Sequence, residues 1–122
     1  MENEEFDVKL EYNEKGSFDV FVDGNNLMEL KRTCSACPEQ YELYSLLDKQ
    51  IKGYFRVRWS SFTCEFPDVG GELVYDNYID KDGWSGKFNS HEQRIEELTK
   101  AIKEIIKKLR EPEEEYPMFI DL

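Results

Sequence analysis

The chain has one histidine, three cysteines and four prolines in 122 residues, and no apolar run long enough to span a bilayer. Each scarcity narrows the reading. A single histidine, His91, excludes a histidine-rich metal site, and nothing in the sequence brings a nucleophile to it. Three cysteines behind an acidic N-terminus that reads MENEEFD, with no export signal, predict a reducing compartment. The expected location is the cytoplasm, with no membrane contact. Gly70-Gly71 lacks the lysine and flanking pattern of a phosphate-cradling loop. Asp80-Lys81-Asp82-Gly83 resembles the start of a calcium loop, but His91 stands where the twelfth-position glutamate belongs. Carboxylates are too many, at 27, for an acid–base pair to stand out. The expectation is a protein that is not an enzyme, with no catalytic residue, no cofactor and no metal.

Positive charge is short as well. Sixteen lysines and arginines against 27 acids leave a net charge of −11. The deficit is uneven: residues 90–110 carry six basic and four acidic side chains, so the rest of the chain holds ten and twenty-three. Such a field repels nucleic acid and anionic membrane and steers basic partners inward. Acidity that serves only solubility is the plain alternative. Aromatics are abundant, with eight Phe, seven Tyr and two Trp, which argues for a folded core and against disorder. The length suits one domain over residues 1–122.

The stretch SHEQRIEELTKAIKEIIKKLR, residues 90–110, organises the fold. Ile95, Leu98, Ile102, Ile105 and Leu109 recur at spacings of three and four, and Ile106 widens the stripe. Ser90 as N-cap with Gln93 completes a capping box, and Pro112 limits continuation. Alternation predicts strands at Phe6–Tyr12 and Phe18–Val22, joined by a turn at Gly16, and a short third strand over Leu27–Leu30. Pro38 followed by Leu43, Leu47 and Ile51 on one face predicts a shorter helix over residues 39–51, ended by Gly53. Tyr54–Phe66 reads as a long strand whose apolar parity changes near Ser60-Ser61, which predicts a bulge or break there. Glu72–Tyr78 is another strand and Trp84–Phe88 a short last one before the helix. Residues 111–115 form an acidic linker. Residues 116–122 are apolar enough to dock on the body. The predicted class is α+β: a largely antiparallel sheet of about five strands, with the long and the short helix packed on one face.

Two constellations bear on function. Cys34-Ser35-Ala36-Cys37 can bind zinc or do thiol chemistry, and Cys64 and His91 would complete a four-ligand set. No second close-spaced ligand pair exists, so ordinary loop thiols are the favoured reading. The second is a surface. Glu65, Asp68, Glu72, Asp76, Asp80 and Asp82 face a single lysine in that stretch, with Tyr75, Tyr78 and Trp84 among them. Charge for steering and aromatics for anchoring suit a face for a basic protein partner. The same residues read singly suit core aromatics and a solvated edge.

In size, acidity and aromatic content the chain resembles the small immunity proteins of bacterial toxin–immunity systems, including those of contact-dependent inhibition. The likeness is one of overall character, and no residue's role is carried over from it. It implies a cytosolic protein that binds a cognate basic, nuclease-type toxin and covers its active or nucleic-acid-binding surface. The chain itself is expected to be a monomer or weak dimer. A nucleic-acid-mimicking inhibitor of the phage anti-defence type shares the same physics. A zinc or thiol module using Cys34 and Cys37, and an adaptor that self-associates, are the competing classes.

Overall fold

Inward and outward side chains alternate cleanly at Phe18–Val22, Glu39–Ser45 and Gly53–Arg58, and seven segments in all form strands. The computed structural model describes residues 6–34, 38–81 and 83–110. The strands are β1 (Val8–Tyr12), β2 (Phe18–Val22), β3 (Asn25–Cys34), β4 (Glu39–Ser45), β5 (Ile51–Arg58), β6 (Ser61–Phe66) and β7 (Glu72–Tyr78), followed by the helix α1 (His91–Leu109). Each strand pairs antiparallel with the next, so one sheet runs in chain order from β1 to β7. Register shifts at Val20/Phe21, Arg32/Cys34, Leu43/Tyr44 and Cys64/Glu65 bend it. The helix touches both edge strands, β1 and β7, and also β5 beneath it. The sheet therefore curls around one face of α1, and its other face is left without a covering element among the described residues.

The core lies in that curl. Phe18, Leu30, Tyr41, Phe55 and Phe62 from the strands meet Leu98, Ile102 and Ile105 from α1, all fully buried. Burying one such side chain contributes about 1.5–3 kcal/mol. The helix starts as expected. Ser90 Oγ accepts from the Gln93 amide at 3.0 Å, while the Gln93 side chain accepts from the Asn89 amide at 2.8 Å, one residue before the cap. Lys100 pairs with Glu96 at 3.3 Å, Lys107 with Glu104 at 3.3 Å, and Lys108 reaches across to Glu72 on β7 at 3.0 Å.

Four expectations are corrected. There is no central helix: residues 39–45 form β4, with Glu39, Tyr41, Leu43 and Ser45 inward and Gln40, Glu42 and Tyr44 between them. The helical spacing of Leu43, Leu47 and Ile51 crosses a tight turn, where Leu47 is exposed and Lys49 has φ of 62°. Gly53 is no helix stop; it lies inside β5, beneath Ile105 of α1. The long strand is two, because the parity change at Ser60-Ser61 is a chain reversal between β5 and β6. The count is seven strands rather than about five, since the long strand is two and β4 is added, while residues 84–88 form no strand; β3 is also longer than expected, reaching Cys34. The linker and tail at 111–122 lie outside the described residues. No described helix is long and apolar enough to cross a membrane.

Candidate functional site

The alternation of β4 turns Glu39 inward, and its side chain is fully buried. A buried carboxylate is costly unless paired, and this one is met from four sides. Tyr41 donates its hydroxyl to Oε2 at 2.5 Å, Arg94 donates Nε at 2.6 Å and Nη2 at 3.3 Å, and the Phe88 amide donates at 3.1 Å. Arg32 Nη2 stands 3.5 Å away. Burial pushes the Glu39 carboxyl up, but the bonds from Arg94, Tyr41 and Phe88, with the Arg94 charge, outweigh it and hold the group below its ordinary range. Burial and the Glu39 carboxylate together push the Tyr41 phenol far up.

This cluster fastens the connector 79–90 that leads into α1. The Glu39 amide donates to the Gly86 carbonyl at 2.7 Å, beside the Phe88 bond. A second fastening lies on the β5–β6 reversal. The Ser60 amide donates to the Ser85 carbonyl at 2.7 Å, the Ser85 amide to Ser60 Oγ at 3.0 Å, and the Ile79 amide to the Ser60 carbonyl at 2.9 Å. Asp80 accepts the Ser85 hydroxyl at 3.0 Å. The connector is thereby held against the end of the sheet, with Trp84 at its outer side.

The reversal itself is a two-residue turn in which Trp59 and Ser60 have φ of 54° and 59°. Two positive values define the mirror-image hairpin turn that ordinarily takes Asn-Gly. Three backbone and side-chain bonds account for buried Ser60. Trp59 has no such anchor: it is 58% exposed, edge-on to Trp84 (75% exposed) with centroids 6.2 Å apart at 68°. The Arg58 guanidinium lies 5.8 Å from the Trp59 ring centroid. Trp59, Trp84, Arg56, Arg58, Gln40 and Pro38 line a groove of about 480 Å³ at this end of the sheet. Among the described residues no carboxylate comes within ion-pair distance of Arg56 or Arg58.

The groove continues onto the open face. Inward Tyr41, Leu43, Phe55, Val57, Phe62 and Cys64 leave Gln40, Glu42 and Tyr44, Tyr54, Arg56 and Arg58, and Thr63 and Glu65 facing out. Tyr54 donates to Gln40 at 3.3 Å, Tyr44 to Glu42 at 2.7 Å, and Lys31 lies 4.8 Å from the Tyr44 ring centroid.

The acidic stretch singled out in the sequence divides between places. Asp76 and Tyr78 of β7 oppose Thr63 and Ser61, so they join Glu65 on the open face. Glu65 also accepts the Gly70 amide at 2.8 Å, and Asp68 accepts the Val69 amide in the β6–β7 turn. Glu72 turns to the helix side to meet Lys108, and Tyr75 turns inward to donate to Glu97 at 2.7 Å. Asp80 is tied to Ser85, and Asp82 lies outside the described residues. Trp84 sits with Trp59, a partner that sequence reasoning missed. The signal available was its place in the parity break, where a large aromatic fills a turn position.

Among the described residues, Cys64 and His91 lie apart. Cys64 is buried beneath α1, where burial and then the charges of Glu65 and Glu104 push its thiol far up. His91, at the other end of the helix and about 20 Å from Glu104 along the axis, packs against Tyr12 and Phe18. Cys34 is half-buried at the end of β3, and Cys37 lies outside the described residues. Among the described residues no group of three or more potential ligands is placed to hold a metal. Comparison with protein-family models, with curated proteins and with solved structures finds no match.

Proposed function

We propose that the protein is a binding module rather than a catalyst, docking a folded basic protein on the open face of its sheet. In this reading it is an immunity-type inhibitor that covers the active or nucleic-acid-binding surface of a nuclease-type toxin. One observation carries the reading: a sheet face with no covering element among the described residues, bearing Tyr44, Tyr54, Trp59 and Tyr78 beside Glu42, Glu65 and Asp76. Antiparallel sheets tolerate one solvated face, but such faces are ordinarily polar. Tyr, Trp and Arg are the residues that anchor interfaces, and the acids supply steering toward a cationic partner. A nucleic-acid mimic would present carboxylates throughout. Arg56 and Arg58 within this face favour a protein partner instead.

The test is co-purification from the native host at low salt, with mass spectrometry and a parallel high-salt wash. The expected result is one basic partner, weakened by salt and lost with the double variant Tyr54→Ala, Tyr78→Ala. A partner retained equally by that folded variant removes the open face from the interaction.

A further inference from the structure

The two tryptophans of the chain lie far apart in sequence, yet both stand at one groove, largely exposed. Folding left to itself would not choose this. A positive φ in a bulky non-glycine residue is strained, and Trp59 takes it while burying less than half of its surface. Beside it, Arg56 lies between Gln40 on β4 and Thr63 on β6, with no acid directly opposite. In a chain with 27 carboxylates and a net charge of −11, a pair of arginines without a carboxylate at ion-pair distance among the described residues is an inversion of the local field.

We propose that this groove is a subsite for a carboxylate-bearing segment of a partner polypeptide: an aspartate or glutamate against Arg56 and Arg58, and an adjoining apolar side chain against Trp59 and Trp84. Guanidinium and carboxylate match as planar, paired hydrogen-bonding groups. The tryptophans present flat apolar area with little entropy to lose. The Trp rings meet edge to face, so no parallel slot is open to receive a nucleobase, and the overall negative field disfavours a polyanion. The subsite refines the open-face reading of the function and rests on it. The partner's basic surface meets Glu42, Glu65 and Asp76, while one acidic side chain of that partner crosses to the arginine end and sets the orientation.

Because both tryptophans are in the groove, the tryptophan emission of the full-length protein, excited beyond the tyrosine absorption band, reports on this place alone. Two measurements test the subsite without the natural partner. In collisional quenching, with each ion's effect taken relative to its quenching of free N-acetyltryptophanamide, iodide is expected to quench more strongly than caesium despite the negative net charge, and the order is expected to reverse in Arg56→Gln, Arg58→Gln. In titration, a blocked tryptophan-free peptide containing adjoining phenylalanine and glutamate residues is expected to change the emission. Its lysine counterpart is expected not to do so, and the double arginine variant is expected to bind the acidic peptide at least about tenfold more weakly. The variant Trp59→Asn, whose side chain suits the turn, keeps or raises stability and loses the response, which separates binding from folding.

Caesium quenching the more strongly in the wild type, or equal responses to both peptides, overturns the subsite. So does a stronger response to a mononucleotide, or an emission change on concentrating the protein alone, which would place a second copy in the groove. If the peptide binds while no basic partner is captured from the host, the subsite stands and the toxin-inhibitor reading falls. The converse result leaves the open face and removes the subsite.

Discussion

Glu39 shows how one side chain fixes a distant surface. Its carboxylate binds β3 through Arg32, its own strand through Tyr41, and α1 through Arg94, and the Phe88 amide ties the connector that carries Trp84. Removing one member of a buried ion cluster costs more than the cluster contributes, because uncompensated charge remains. Glu39→Gln leaves Arg94 and Arg32, each under a fifth exposed, facing a neutral amide. The expected loss is about 3 kcal/mol, read from the urea midpoint. Tyr41→Phe removes one donor and is expected to lose about 1–2 kcal/mol. The pH dependence follows from the depressed pKa. This carboxylate contributes its full stability above the ordinary value of 4.5, and that contribution is lost as the pH falls from there through the lower folded value. Urea midpoints measured down to about pH 3 are therefore expected to fall less steeply in Glu39→Gln than in the wild type.

Among the elements, α1 dictates what lies beneath it. Its buried stripe comes down on β5, and a Cβ built on Gly53 would stand 3.1 Å from both Ile105 Cδ1 and Phe55 Cε1. A branched side chain there has to displace the helix or the ring. Gly53→Val is expected to cost about 1–3 kcal/mol in thermal or urea unfolding, with the fold retained. The helix was legible in the sequence because its spacing, its cap and its flanking proline all point the same way. The outer strands were legible because Val8–Tyr12 and Phe18–Val22 alternate between recognisable turns. β4 was not. Its inward positions include Glu39 and Ser45, so its alternation is only half apolar, while Leu43, Leu47 and Ile51 offer a competing helical spacing across a turn. A strand that carries a buried ion cluster reads as polar until its partners, Arg32 and Arg94, are seen around it. The same limit applied to the candidate site. Acidic character and Tyr78 were visible in order along the chain. The Trp59–Trp84 pairing was not, since it depends on a hairpin reversal and a fastened connector meeting at one end of the sheet.

Across the whole molecule, the charge is sorted by place as well as by amount. On the helix side, residues 90–110 carry six basic against four acidic side chains, and Lys108 and Lys100 among them are tied to neighbouring acids. The open face mixes acids with aromatics, and the groove at its end is cationic. A net charge of −11 accelerates encounter with any basic protein, whatever face it meets. Position decides whether a given acid does more than that. Asp76 lies on the open face of β7, and Glu14 lies in the turn after β1, at the opposite edge of the sheet. Reversing either to lysine changes the net charge by the same amount, so a purely global field predicts equal slowing of association. Docking on the open face predicts otherwise. Asp76→Lys is expected to slow association with the captured basic partner about threefold to tenfold at low ionic strength and to flatten its salt dependence, with Glu14→Lys well short of that. At high salt, where screening shortens the reach of each charge to a few ångströms, the two variants should converge toward the wild type in association rate, and a residual difference in dissociation should persist only for Asp76→Lys. Stopped-flow measurements across salt concentrations separate these terms. Equal behaviour of the two variants would reduce the acidity to a general steering field and leave the face without a role in docking.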